Sequence, residues 1–68
     1  MKITEKVAQN CVAWVNNNIP MDITNAYIEV TNKHQYEVYI TVGGFDFKLS
    51  KDEIYNRAIL WQEYIDEN

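Results

Sequence analysis

Residues 25–50 read NAYIEVTNKHQYEVYITVGGFDFKLS, and this stretch decides the fold. Apolar residues recur in it at every second position, which is the period of a β-strand with one buried face. The pattern predicts three strands, over residues 25–31, 36–42 and 45–49. Their apolar side chains share one face: Ala26, Ile28, Val30, Tyr36, Val38, Ile40, Val42, Phe45, Phe47 and Leu49. We therefore expect a three-stranded antiparallel meander.

A glycine pair marks the second hairpin. Gly43 and Gly44 separate the second and third strands, and paired glycines accept the positive φ angles that primed two-residue turns require. A two-residue turn at this point pairs Ile40 with Phe47. The register of the second hairpin is therefore fixed by the turn itself.

The first hairpin allows two registers. The apolar residues of its strands can share a face only if the connecting loop has an odd length. A three-residue loop, residues 32–34, places Glu29 directly opposite Glu37, where like charges repel. A five-residue loop, residues 32–36, instead pairs Glu29 with Tyr39. Both loops satisfy the apolar pattern, so the register remains open at this level.

Helical periodicity flanks the strands on both sides. Over residues 4–17 the apolar side chains fill one arc of about 180° at 100° per residue. Asn16, Asn17 and Asn18 then end this helix, because Asn tolerates the left-handed conformation at a helix C-terminus. A second helix is predicted over residues 51–65.

The second helix has a clear start and a broad apolar surface. Ser50 and Glu53 have the spacing of a capping box, in which each side chain bonds to the backbone N–H of the other residue. A central stripe is formed by Ile54, Ala58, Trp61 and Ile65. Ile59 and Leu60 fall outside this stripe, on opposite sides of the helix, which is expected of a helix with neighbours on more than one side.

Together these elements predict one small α+β domain over residues 1–68, in the order α-β-β-β-α, with two helices packed on one face of the sheet. A core of this size supplies only about 3 to 5 kcal/mol of net stability. Three strands make a sheet about 10 to 15 Å wide, whereas two packed helices are about 20 Å across. We therefore expect the second helix to keep apolar surface for a homodimer or for another protein.

Groups that could carry out chemistry are few. Cys11 lies in the middle of the apolar arc of the first helix, and His34, the single histidine, falls in a loop where it suits a turn. One Cys and one His cannot form a four-ligand zinc site, and Gly43-Gly44 lacks the spacing of a phosphate-binding loop. We expect no enzymatic activity, cofactor or metal.

A cytoplasmic location is expected from two further features. A lone cysteine cannot form an internal disulfide, and it stays reduced in the cytoplasm. The apolar stretches are too short for a signal peptide, and they fall well below the roughly 20 residues that cross a bilayer. We therefore expect no membrane association.

The net charge of −4 arises entirely in the second half of the chain. Residues 1–34 carry three lysines and three acidic residues, whereas residues 35–68 carry three basic and seven acidic residues. A negative surface repels phosphate backbones, so direct nucleic-acid binding is disfavoured. The same charge permits a different hypothesis, an acidic mimic of nucleic acid that blocks a DNA- or RNA-binding channel.

Two surfaces are candidate sites for a protein partner. On the face of the sheet opposite the helices, aromatic rings lie among acidic residues, and tyrosine is favoured at interfaces for its large contact area and polar tip. The predicted contact residues are Tyr27, Glu29, Glu37, Tyr39 and Asp46 on the sheet, and Ile59, Leu60 and Tyr64 on the second helix. Each set also has a structural interpretation, because tyrosine favours strands and scattered exposed apolar residues are common.

In size, charge and predicted layout the chain resembles several small phage-encoded inhibitors of host defence, including some anti-CRISPR proteins. This resemblance implies no residue roles. We expect a small acidic protein-binding module that acts by occupying a surface of a larger partner, such as a host-defence or nucleic-acid-handling protein. The alternatives are the acidic nucleic-acid mimic and a structural homodimer without a separate activity.

Overall fold

The computed structural model describes residues 2–18 and 23–67 and confirms the predicted α+β architecture. Its elements are α1 (Glu5–Asn17), β1 (Ile23–Val30), β2 (Tyr36–Val42), β3 (Phe45–Lys48) and α2 (Lys51–Glu67). The strands form one antiparallel sheet in the order β1-β2-β3. A sheet of three consecutive strands is the meander that the alternating pattern predicts.

The first hairpin adopts the three-residue loop. Glu29 lies directly opposite Glu37, and the Thr31 N–H donates to the Gln35 carbonyl over 2.8 Å to close the loop. His34 has a φ of 57°, in the left-handed region, as expected of a turn residue. Of the two registers left open by the sequence, the structure has the one with facing glutamates.

The second hairpin forms as predicted. Gly43 and Gly44 have φ angles of 57° and 84°, so both central residues of the turn are in the positive-φ region that glycine adopts without strain. Ile40 pairs with Phe47 across the turn.

The start of β1 differs from the prediction. The strand begins at Ile23 rather than at residue 25, and a bulge interrupts the pairing between Ile23 and Asn25. A bulge inserts one residue and shifts the alternation of side chains. Ile23 therefore packs against the core, although simple alternation from Ala26 assigns it to the opposite face.

Helix α1 begins and ends through side-chain hydrogen bonds. Thr4 Oγ1 accepts a bond from the Val7 N–H over 3.2 Å at the start. At the end, the side-chain amides of Asn17 and Asn18 donate to the carbonyls of Ala13 and Trp14, over 2.8 and 3.0 Å. Asn18 has a φ of −126°, so the asparagines end the helix by capping carbonyls and not by the expected left-handed conformation.

The capping box of α2 is confirmed. The Glu53 N–H donates to Ser50 Oγ and the Ser50 N–H donates to Glu53 Oε1, both over 3.2 Å. The bond from the Ser50 N–H, followed by a hydrogen bond from the Ser50 side chain, favours the charged carboxylate and lowers the pKa of Glu53. The helix continues to Glu67, two residues beyond the predicted end.

Helix α1 is the centre of the packing. It contacts both β1 and β2, whereas α2 packs chiefly along α1. The buried apolar residues come from both helices, the sheet and the short segments that precede the helices: Ile3, Ala8, Cys11, Val15, Ala26, Val38, Leu49, Ile54 and Ala58. Small side chains at several of these positions let the two helix backbones approach closely.

This arrangement leaves part of β3 uncovered. Phe45 and Phe47 lie on the same face of the sheet as the buried Val38, yet they are 71% and 53% exposed. The prediction that the apolar face is buried therefore fails at β3, because α1 lies over β1 and β2, and α2 follows α1. The molecule keeps surplus apolar surface on its sheet as well as on its second helix.

Two isoleucines of α2 provide a matched test of this core. Ile54 is 2% exposed and Ile59 is 54% exposed. We expect Ile54→Ala to lower the free energy of unfolding by about 2 to 5 kcal/mol, because it leaves a cavity in the core. Ile59→Ala is expected to change it by less than about 0.5 kcal/mol. Urea denaturation followed by circular dichroism measures both.

A domain of this size can lose most of its folded population in Ile54→Ala. Ile54→Val then serves in its place, with an expected loss of about 0.5 to 1.5 kcal/mol. Equal losses for the variants at residues 54 and 59 would contradict the described packing of α2.

Candidate interaction surfaces

The face of the sheet opposite the helices carries a pair of stacked tyrosines. Tyr27 and Tyr39 are cross-strand partners, and their rings lie 5.5 Å apart with an interplanar angle of 9°. Directly opposite residues of an antiparallel pair are the side-chain contacts that stabilise a sheet. The stack is therefore a flat, half-buried aromatic platform at the middle of this face.

Glu37 lies beside the platform, and its charge is balanced by the third strand. Lys48 Nζ is 2.7 Å from Glu37 Oε2, and the Tyr39 hydroxyl donates to Glu37 Oε1 over 3.3 Å. The bond from Lys48 is the main cause of a lowered Glu37 pKa, and the same bond raises the pKa of Lys48. This ion pair offsets the repulsion between Glu37 and the facing Glu29.

Asp46 lies on the other side of the platform. The Thr41 hydroxyl donates to Asp46 Oδ1 over 2.7 Å. Partial burial is the main cause that raises the pKa of both tyrosines. The second cause is a nearby negative charge, that of Asp46 for Tyr27 and that of Glu37 for Tyr39. Both hydroxyls therefore stay protonated at neutral pH, and their protons are directed to Glu37 and Asp46, so it is the ring faces and the hydroxyl oxygens, as acceptors, that a partner can contact.

The five residues predicted for this surface lie together on one face of the sheet. Tyr27 and Glu29 come from β1, Glu37 and Tyr39 from β2, and Asp46 from β3. Side chains alternate between the two faces along each strand, so these five residues share a face in either register of the first hairpin. We call this surface the outer sheet face.

The second surface lies on the C-terminal half of α2. Four of its large apolar side chains, Ile59, Leu60, Tyr64 and Ile65, are between 42% and 54% exposed. The Trp61 and Tyr64 rings are 5.4 Å apart with a tilt of 31°. The three residues predicted for this helix, at positions 59, 60 and 64, are therefore exposed as expected.

Sequence reasoning missed Ile65 and the phenylalanines of β3. Ile65 falls on the central stripe of α2, but α2 has 17 residues and α1 has 13, or about 25 and 20 Å of helix. The longer helix leaves its final turns without a neighbour of the same length. The predicted helices, over residues 4–17 and 51–65, are nearly equal in length and hide this mismatch, and the exposure of Phe45 and Phe47 depends on where the helices lie.

The two surfaces form separate sites. The helices pack on the face of the sheet that carries the core, and the outer sheet face is the opposite one. A single small contact cannot include both sets of predicted residues. Each surface is therefore considered separately as a binding site.

A groove of about 230 Å³ opens where both helices begin. Its basic lining residues are Lys2, Lys48 and Lys51, and Lys48 is already paired with Glu37. Within residues 2–18 and 23–67, no group of three or more His, Cys, Asp or Glu residues is placed to hold a metal ion. No helix in the described part of the chain has both the length and the apolar character needed to cross a membrane.

Cys11 is a buried core residue, as its place in the apolar arc predicts. Its side chain, on the inner face of α1, is fully buried. Burial, only partly offset by the charge of Arg57, raises the pKa of the thiol to about 11. The thiol therefore stays protonated at neutral pH, whereas a nucleophilic cysteine needs to be a thiolate.

The Glu37–Lys48 pair gives a testable pH dependence. Because the folded-state pKa of Glu37 is lowered, this group stabilises the fold above its unfolded pKa, and the stabilisation is lost as the pH falls through the folded value. We expect the melting temperature to fall between about pH 6 and pH 3. In Lys48→Met this fall should be smaller, and the Glu37 pKa measured by carboxyl NMR titration should rise.

Lys33→Met, which removes an equal charge elsewhere, should leave the Glu37 pKa unchanged. A shift of the Glu37 pKa in that variant would contradict a local cause.

The burial of Cys11 predicts slow labelling. With the thiol pKa at about 11, a disulfide reagent at neutral pH should react with native protein at least roughly 100-fold more slowly than with urea-unfolded protein. The absorbance of the released thiol reports both rates. Comparable rates would show that the helix interface opens to solvent.

Comparison with protein-family models finds no matching model, and comparisons with curated proteins and with solved structures find no significant match.

Proposed function

We propose that this chain is a non-enzymatic protein-binding module that inserts the C-terminal half of α2 into an apolar groove of a larger protein. The observation that carries the proposal is the group of exposed apolar side chains at the end of this helix. Amphipathic helices that lie in grooves bind through apolar residues at i, i+3, i+4 and i+7 spacing. Trp61, Tyr64 and Ile65 have the i, i+3 and i+4 spacing of such a surface, and Leu60 forms a second i, i+4 pair with Tyr64.

The contact is an arc on one side of the helix. Leu60 and Tyr64 are four residues apart, as are Trp61 and Ile65. At 100° per residue these four side chains span about 140° of the circumference. Ile59 is equally exposed but lies on the opposite side of the helix, outside the proposed contact. We call the four residues at positions 60, 61, 64 and 65 the α2 arc.

The charge around the α2 arc specifies the partner further. On the same helical wheel Glu67 borders the α2 arc beside Leu60, whereas Glu63 and Asp66 lie towards Ile59, and the whole chain carries a net charge of −4. Complementary charge increases the association rate and disfavours partners of the wrong charge. The groove of the partner is therefore expected to have an apolar floor and a basic rim.

Basic rims are common on proteins that handle nucleic acids, because phosphate backbones are bound by lysine and arginine. The proposal therefore extends to an inhibitor of such a protein, in keeping with the resemblance to small phage-encoded inhibitors. In that role the module acts by occupying a surface of its target. The alternative of a nucleic-acid mimic instead relies on carboxylates, and on the outer sheet face Lys48 already neutralises Glu37.

Charge insertion into the α2 arc tests this function. Affinity capture from a lysate of the source organism identifies a partner, and calorimetry with the purified partner measures affinity. Leu60→Glu and Tyr64→Glu are each expected to weaken binding by about 30-fold or more, the effect of losing a residue central to an interface. Ile59→Glu, an equal change on the opposite side of α2, is expected to have little effect.

Two results would contradict this proposal. Binding that survives both arc variants but is lost in Tyr39→Ala would move the site to the outer sheet face. Binding that tolerates both arc variants but falls steeply with rising salt would favour the nucleic-acid mimic, because charge then carries the contact without the apolar arc. Circular dichroism of each variant confirms that the fold is retained.

A further inference from the structure

Strand β3 forms an open edge of the sheet beside exposed aromatic residues. It is hydrogen-bonded to β2 on one side and has no neighbouring strand on the other within the described part of the chain. All four of its residues are exposed, and its two phenylalanines are the uncovered part of the apolar face. An open edge of this kind is a template for pairing with another strand.

The hydrogen bonds within the sheet show which groups of β3 face the open edge. The Leu49 N–H donates to the Val38 carbonyl over 2.9 Å. Because residues alternate along an antiparallel pair, the backbone groups of Phe45 and Phe47 also point towards β2. The N–H and C=O groups of Asp46 and Lys48 therefore point outwards and are available to a further strand.

Charge then selects one way of pairing two β3 strands. In an antiparallel pair of β3 strands, each outward-pointing residue, Asp46 or Lys48, must lie opposite an outward-pointing residue of the second copy. Three registers of this short strand meet that condition. Two of them put Asp46 opposite Asp46 or Lys48 opposite Lys48, so like charges face each other. The third puts Asp46 opposite Lys48 of the second copy, and symmetry repeats the pair. Each Asp46–Lys48 pair is then joined by two backbone hydrogen bonds, and Lys48, which already pairs with Glu37 of its own chain, lies between that carboxylate and Asp46 of the second copy.

The same register pairs the apolar side chains. Phe47 comes to lie opposite Phe47 of the second copy, on the two-fold axis. Phe45 lies opposite Leu49 of the second copy, whose side chain is already buried in its own core, so the Phe47 pair is the main apolar contact. Aromatic cross-strand pairs are among the stabilising contacts of antiparallel sheets. Hydrogen bonding therefore limits β3 to three registers, charge selects one of them, and that register keeps the exposed phenylalanines at the interface.

We propose that two copies of this chain associate through β3 to form a six-stranded sheet, with Asp46 opposite Lys48 and Phe47 on the two-fold axis. The interface is self-complementary, as a two-fold dimer requires. It covers the phenylalanines that α1 and α2 leave exposed. The inference concerns β3 alone and does not depend on whether α2 binds a partner.

The opposite edge of the sheet, at β1, is less suited to this pairing. A bulge interrupts β1 between Ile23 and Asn25, and bulges twist an edge away from new strands. Ala26 is buried and Ile28 is partly buried in the core, so little apolar surface at the middle of β1 remains for a dimer to cover. The exposed aromatic residues lie at the β3 edge.

Sedimentation of the purified full chain over a range of concentrations tests the dimer. The wild-type protein should show a dimer fraction that rises with concentration, and Phe47→Glu should weaken association at least about tenfold by placing two carboxylates on the axis. Ile59→Glu is the matched control, because Phe47 and Ile59 are equally exposed, at 53% and 54%, and it should leave the dimer intact.

A charge exchange tests the register. Asp46→Lys and Lys48→Asp should each weaken self-association about tenfold or more, because each sets like charges opposite one another. An equimolar mixture of the two variants should associate again, since every lysine of one chain then faces an aspartate of the other. This recovery cannot be explained by damage to the fold of either variant.

Three outcomes would overturn the inference. The first is a wild-type chain that stays monomeric at all concentrations. The second is a dimer that tolerates Phe47→Glu but is lost in Leu60→Glu or Ile59→Glu, which would place the interface on α2. The third is a mixture of charge variants that stays as weakly associated as its components.

Discussion

The close contact between α1 and α2 is the constraint on which the rest of the structure depends. Small buried residues, Ala8 and Cys11 on α1 and Ala58 on α2, let the two helices pack tightly. Since α1 also covers β1 and β2, α2 is held beside α1 and does not cover β3. This one arrangement exposes the two phenylalanines of β3 and the last turns of α2. The candidate sites for association are therefore consequences of how the core is built.

Local signals in the sequence were sufficient for the elements but not for every contact between them. The alternating pattern, the glycine turn and the Ser50–Glu53 capping box depend on neighbouring residues alone, and all three are present. The register of the first hairpin depends on a residue from a third strand, because Lys48 balances Glu37. The repulsion between Glu29 and Glu37, judged from these two residues alone, does not include that ion pair. The start of β1 was hidden for a related reason, since a bulge breaks the period that marks a strand.

The same distinction applies to the candidate sites. Alternation places Tyr27, Tyr39 and the nearby acids on one face, because strand geometry alone decides the face. It also places Phe45 and Phe47 on the apolar face, but it cannot say whether a helix covers them. Coverage depends on the distance and direction of helix packing, which local sequence patterns do not encode. The exposed surface of β3 therefore becomes visible only when the core is assembled.

The β3 edge and the α2 arc can act together. The two elements make few contacts with each other, so pairing along β3 leaves the end of α2 available for a partner. A two-fold dimer then carries two identical α2 arcs on one rigid sheet. If the partner has two grooves at a matching distance, the second contact forms at a high effective concentration, and overall affinity can exceed that of one arc by about 100-fold or more. If the proposed β3 dimer and the proposed helix contact both form, the edge-to-edge contact converts a modest helix contact into tighter binding.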